Sequence, residues 1–326
     1  MSEEKLTREK VSSLLIQGNI LPQNTEKVLS LTGISPSKHS WYDFINTLLL
    51  WLGTLALALS LMFLIAFNWN ELGRFAQFAL VEVAIVAAII VYYKTEKESL
   101  VSTASLVLAS LFLGVLLALF GQTYQTGADT WELFFFWALM ILPWTFLSKL
   151  PAQWILVITL LNLSMVFYFD HFQSLLWMVF SSDTILLWVL FIFNLSVQII
   201  WELSSYYVKS QSKEAWYIRL LTLASGFPLT WLIVVAILDK ENDFLTFITW
   251  ILYLLGLYLV YKRIKPDLFI LAWGCLSVIV VTITFLAKHL LKGFDAGAFF
   301  VLALTVIALG TASAYWLKHV HKELKA

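Results

Sequence analysis

The sequence predicts an all-α, polytopic membrane protein with about ten transmembrane helices behind a short N-terminal cytoplasmic helical hairpin. Three observations predict it. AVILMFWYC residues make up 60 % of the 326-residue chain and charged residues only 13 %, about half the charged share of a soluble domain, and mean hydropathy is +0.84. The apolar residues fall into ten runs, most of them near the ~20 residues that cross a bilayer as helix. The basic residues segregate to alternate loops. A soluble globular enzyme, a disordered chain and a secreted disulfide scaffold are excluded, because this chain has too little charge to cover a water-facing surface and a single cysteine, Cys275.

Residues 1–40 read as a cytoplasmic two-helix hairpin, and 41–326 as the transmembrane domain. In the lead, a first short amphipathic helix carries Val11, Leu14 and Leu15 and stops at Gly18; a second opens after Pro22, carries Val28, Leu29 and Leu31 and stops at Gly33. Proline near a helix start and glycine just past its end are boundary signals. So small a hairpin holds little core of its own and is expected to dock, either on its own membrane domain or on a partner protein.

The ten spans are placed at 44–67, 75–93, 100–120, 131–148, 151–169, 184–202, 217–238, 244–261, 267–287 and 296–317. They are too long for strands and lack the polar–apolar alternation of a membrane β-barrel. Pro143 and Pro228 fall inside spans 4 and 7 and predict kinks there. Leu175–Phe180 is a further apolar piece too short to cross. The first run starts near Phe44, behind 43 fairly polar residues, and is too long for a signal-peptide core, so the first span is expected to direct insertion.

Ten crossings put both termini on one side. Of the 21 Lys and Arg, 17 then share that side, and only Arg74, Lys240, Lys288 and Lys292 lie on the other. The positive-inside rule makes the base-rich side cytoplasmic, in a bacterial inner membrane. The opposite face is acidic, with Asp129, Asp170 and Asp239 among its carboxylates, which disfavours nucleic acid and anions.

Three stretches carry a family resemblance: Gln17-Gly18-Asn19-Ile20-Leu21-Pro22 in the lead, Asn68-Trp69-Asn70 after span 1, and Gly121-Gln122-Thr123-Tyr124-Gln125-Thr126-Gly127-Ala128-Asp129 after span 3. Together they resemble the prokaryotic membrane-protein family called domain of unknown function 2157 (DUF2157), over roughly residues 5–165. The family pattern is an Asn-Trp after the first span and a Gln-x-Tyr followed by an acid after the third. The resemblance implies a bacterial membrane protein without an established activity and supplies no catalytic residues.

Polar groups inside spans need a reason. Glu82 lies eight residues into span 2, and an ionisable side chain at that depth must face a partner or water. It is either a proton carrier or cation ligand, or a protonated acid bonded to a neighbouring helix. Asn194, Gln198 and Glu202 fall at i, i+4 and i+8 on one stripe of span 6, and Asn162 sits mid-span in span 5. These four either bond between helices or wall a hydrated path. Asn68, Trp69, Asn70, Gln122, Tyr124, Gln125 and Asp129 gather amides, a carboxylate and aromatic rings at the outer mouth. Such groups serve a sugar or polar headgroup, and equally an interfacial belt. Ser102, Ser110, Gly114 and Ala118 mark a small-residue packing face on span 3.

The five histidines form no zinc pair and no nucleotide or hydrolase motif occurs, so no metal, cofactor or catalytic residue is expected and an enzyme is disfavoured. The leading expectation is transport or flipping of a small polar or lipid-linked solute, with Glu82 as its intramembrane ionisable site. The alternative is a non-catalytic envelope scaffold or regulator that binds a partner through the hairpin or the outer mouth. A lipid bilayer is the obligatory partner in both.

Overall fold

The computed structural model describes residues 13–18, 21–25, 28–29, 38–68, 71–97, 99–125, 127–148, 150–171, 184–208, 216–238, 244–290 and 296–324. Among them the chain is helical and has no strand. Ten long helices run in order: α1 Lys38–Phe67, α2 Arg74–Lys94, α3 Leu100–Tyr124, α4 Thr130–Ser148, α5 Pro151–His171, α6 Ile185–Val208, α7 Trp216–Leu238, α8 Phe244–Leu259, α9 Leu268–Leu290 and α10 Ala296–Glu323. Each expected span falls on one of them. Nine are long and apolar enough to cross a bilayer; the apolar part of α4, Thr130–Phe146, is shorter. Several helices outrun their apolar cores. The core of α1 begins near Phe44 but its helix begins at Lys38, because polar residues continue a helix into the interface as readily as they end it.

In the lead, residues 13–16 are helical and Gly18 adopts φ +72°, a left-handed turn that suits glycine at the end of a helix. A short 3₁₀ turn follows at Pro22–Asn24. The remainder of the hairpin, with Val11, Leu31 and Gly33, and the Leu175–Phe180 piece lie outside the described residues.

The chain divides into two compact units. Unit 1 is Met1–Ala128 with Pro143–Gln153; unit 2 is Asp129–Leu142 with Trp154–Ala326. One dividing point is Pro143, the proline inside α4.

In unit 1, α3 is the central helix and packs against α1 and α2. Its buried residues include Ser102, Ala104, Ser105, Ala109, Ser110 and Gly114, small side chains that let apolar helices approach closely where water supplies no drive. Ser99 caps its start, its side chain accepting from the Ser102 N–H at 3.1 Å. At its end Gln125 is left-handed, φ 44°, and Gly127 follows at φ 65°. Ile65, Val81 and Leu119 form the apolar centre shared by α1, α2 and α3.

In unit 2, α7 is the buried helix and packs against α6, α8 and α9, with α10 against α9. Pro228 is accommodated inside α7. Phe191, Leu229 and Leu232 form one cluster and Ile233, Ile237 and Val281 the next along the same helix. A π-helical turn, Val260–Ile264, follows α8.

Candidate functional site

Glu82 lies on α2, about 12 Å along the helix from Arg74 at ~1.5 Å per residue. One face of α2 packs toward α3 through Gln77, Val81 and Ala88, which are buried. The opposite face is open. Ala79, Glu82, Val83, Val86, Ala87 and Ile90 line a shallow groove of about 390 Å³. Their spacing alternates threes and ones, so they form a single stripe of one helix. The two alanines are the low points of the groove. Glu82 itself is exposed, and no hydrogen bond or ion pair reaches it from the described residues. It has neither a bonded neighbour helix nor an enclosed cavity there. It faces sideways, onto a surface otherwise apolar.

The four other polar residues that the sequence places inside spans behave differently: all are bonded, and all lie in unit 2. Asn162 on α5 and Asn194 on α6 form a reciprocal amide pair, with N–O distances of 3.1 and 2.6 Å. Each also donates to a carbonyl of its own helix, Ile158 and Leu190, at 2.8 Å. Gln198 is 5 % exposed. Its amide nitrogen donates to Thr222 Oγ1 at 2.9 Å and Tyr261 Oη at 3.2 Å, and its oxygen accepts from Ser225 Oγ at 2.9 Å. Ser225 Oγ lies 3.0 Å from Tyr253 Oη. Glu202 accepts from Tyr261 Oη at 2.9 Å and from Lys265 Nζ. The stripe on α6 is therefore one side of a bonded chain running from Lys265 and Glu202 to Tyr253. Tyr261, in the π turn, and Lys265, just past its end, reach the same carboxylate.

Deeper along α7, Thr230 Oγ1 lies 2.8 Å from Ser277 Oγ, which also accepts from Trp250 Nε1 at 2.9 Å. In unit 1, Ser110 Oγ accepts from Trp144 Nε1 at 3.0 Å and Gln153 Nε2 at 2.9 Å. Ser225, Tyr253, Tyr261, Lys265, Gln153 and Trp144 were not singled out from sequence. Serines, tyrosines and tryptophans are common in membrane helices, and only the packing shows which hydroxyls meet an amide.

The outer-mouth residues are distributed over both units. In unit 1, Tyr124 packs against Phe78 of α2 and Phe120, at ring separations of 6.1 and 4.8 Å. Gln122 and Gln125 are exposed beside it, and Asn68 is turned back onto the Leu64 carbonyl at 2.8 Å. Thr123, in the same motif, has a buried hydroxyl without a hydrogen-bond partner among the described residues. In unit 2, Asp129 lies 3.3 Å from His171. Trp69 and Asn70 fall outside the described residues. No group of three or more His, Cys, Asp or Glu that could hold a metal ion occurs among the described residues.

Residues 13–154 match the model of the family described as predicted membrane protein (DUF2157). The match ends one residue past unit 1, so Glu82, its groove and the Gln-x-Tyr motif lie inside the matched region and the bonded chain of unit 2 lies beyond it. No curated protein and no solved structure matches the chain.

Proposed function

We propose, taking the family match over residues 13–154 as the premise, that this membrane protein moves or flips a small polar or lipid-linked solute, with Glu82 as the intramembrane group that engages it. One observation carries the reading: an unbonded carboxylate near the middle of a span, set in a groove that opens sideways. An acid at that depth is expensive and functional by default. The direction of the groove favours a solute arriving within the bilayer, hence the lipid-linked class over a water-soluble one. The bonded state of Asn162, Asn194, Gln198 and Glu202 supports the same choice, since amides tied to one another between helices do not wall a hydrated path. On this reading the base-rich side and both termini are cytoplasmic, in a bacterial inner membrane.

A second reading, an envelope scaffold or regulator whose partner docks a helix on the open face of α2, rests on the same exposed stripe. Transbilayer movement separates the two. In vesicles containing the purified protein, the first reading expects fluorescent lipid-linked solutes to cross with wild type and to fall to the protein-free rate with Glu82→Gln, which keeps the side chain's size and removes its charge. Crossing at the wild-type rate by a folded Glu82→Gln protein sinks it.

A further inference from the structure

We infer that the α2 groove binds a lipophilic cation: one positively charged nitrogen carried on an apolar body that enters from the hydrocarbon layer. The inference rests on the proposed function for the site and adds the chemical class of its ligand. The groove offers one polar group. Ala79, Val83, Val86, Ala87 and Ile90 contribute only hydrocarbon around Glu82. A sugar head would bring more hydroxyls than a single carboxylate can pair, and each hydroxyl left unpaired in apolar surroundings is costly. A phosphate would set an anion against a carboxylate. A single ammonium is matched by a single acid.

Among the described residues no cation competes for the site. The basic residues of α2 are Arg74 and Lys94, ~12 and ~18 Å from Glu82 along the axis at ~1.5 Å per residue, beyond hydrogen-bond reach. No described residue pairs with the acid. An acid without a partner at this depth is unfavourable, and an incoming cation supplies the partner.

The groove also has a direction. It extends three residues from Glu82 toward Arg74, to Ala79, and eight toward Lys94, to Ile90. The charged nitrogen therefore sits near the Ala79 end, and the hydrocarbon body lies along Val83, Val86 and Ile90.

The test is photo-crosslinking in lipid nanodiscs with three probes of equal alkyl length: a primary ammonium, a glucoside and a phosphate. Wild type, Glu82→Gln, Glu82→Asp and Ala87→Trp are compared, each checked for folding by gel filtration. The expected result is saturable labelling by the ammonium probe, retained in Glu82→Asp. It should fall about 10- to 100-fold in Glu82→Gln, the range for a hydrogen bond to a charged group. It should also be lost in Ala87→Trp, which fills the groove and keeps the charge. Equal ammonium labelling of wild type and Glu82→Gln overturns the inference. Glu82-dependent labelling by the glucoside instead overturns the cation class and leaves the flipping reading standing. Ammonium binding by a protein that moves no solute across vesicles supports the site and overturns the flipping reading.

Discussion

Removing the Gln198 amide takes one bond from each of three groups, Thr222 Oγ1, Tyr261 Oη and Ser225 Oγ, which keep their bonds to the Ile218 carbonyl, Glu202 and Tyr253. Gln198→Leu is therefore expected to destabilise the protein by about 1–2 kcal/mol, the scale of interhelical bonds in membranes, read as a lower midpoint in detergent unfolding. The Asn162–Asn194 pair gives a sharper contrast. Either single leucine leaves the other amide with only the bond to its own helix and should cost about 1 kcal/mol, the scale of interhelical bonds in membranes. The double leucine variant should recover most of that loss, because both polar groups go together. A third prediction concerns close contact. A Cβ built on Gly226 would lie 2.2 Å from Trp273 Nε1 and 3.0 Å from Tyr253 Oη, so Gly226→Ala is expected to cost about 1–3 kcal/mol by overpacking. Trp273→Phe in the same chain should relieve it. At this scale the sequence was partly legible. The depth of Glu82 and the i, i+4, i+8 stripe on α6 follow from counting along a helix. The direction Glu82 faces does not, since α2 is apolar on both its lipid side and its packed side and no periodicity separates them.

Helices were the most legible element. Ten hydropathy runs correspond to ten helices, because a bilayer forces backbone groups to bond within the segment and so ties helix position to apolar length. The π turn after α8 was not legible. Nothing in Val260-Tyr261-Lys262-Arg263-Ile264 announces it, yet the Lys265 N–H bonds to the Val260 carbonyl at 2.9 Å, adding a residue to the turn. Deleting Val260 would restore ordinary helix and rotate Tyr261 and Lys265 by ~100°, away from Glu202. The deletion is expected to destabilise at least as much as Tyr261→Phe and Lys265→Ala combined, measured by the same unfolding midpoint. A deletion variant as stable as wild type would show that the turn does not hold the Glu202 cluster.

For the molecule as a whole, crossing number decides which ends share a side. In unit 2, Glu202 near the end of α6 meets Lys265 after α8. Arg219 at the start of α7 pairs with Asp267 before α9 at 2.9 Å, and Lys262 after α8 with Glu323 at the end of α10 at 3.5 Å. These are the ends that strict alternation puts together, and they are also base-rich. Partly exposed ion pairs of this kind stabilise little; their use here is as a record of topology. The weak link is α4, whose apolar stretch is the shortest. If it crosses, reporter fusions at both termini are active on the same side of the membrane. Opposite sides would mean nine crossings and would break the segregation of Lys and Arg.

The claim that carries the functional account is that Glu82 faces the hydrocarbon layer. A spin label can be placed there in two changes, since Cys275 is the single cysteine: Cys275→Ala, then Glu82→Cys. The account predicts frequent collisions of the label with dioxygen, which dissolves in lipid, and few with a polar nickel chelate, which stays in water. Frequent collisions with the chelate would mean a water-filled cavity at that depth, and few with either would mean protein covering the site; both results contradict the account.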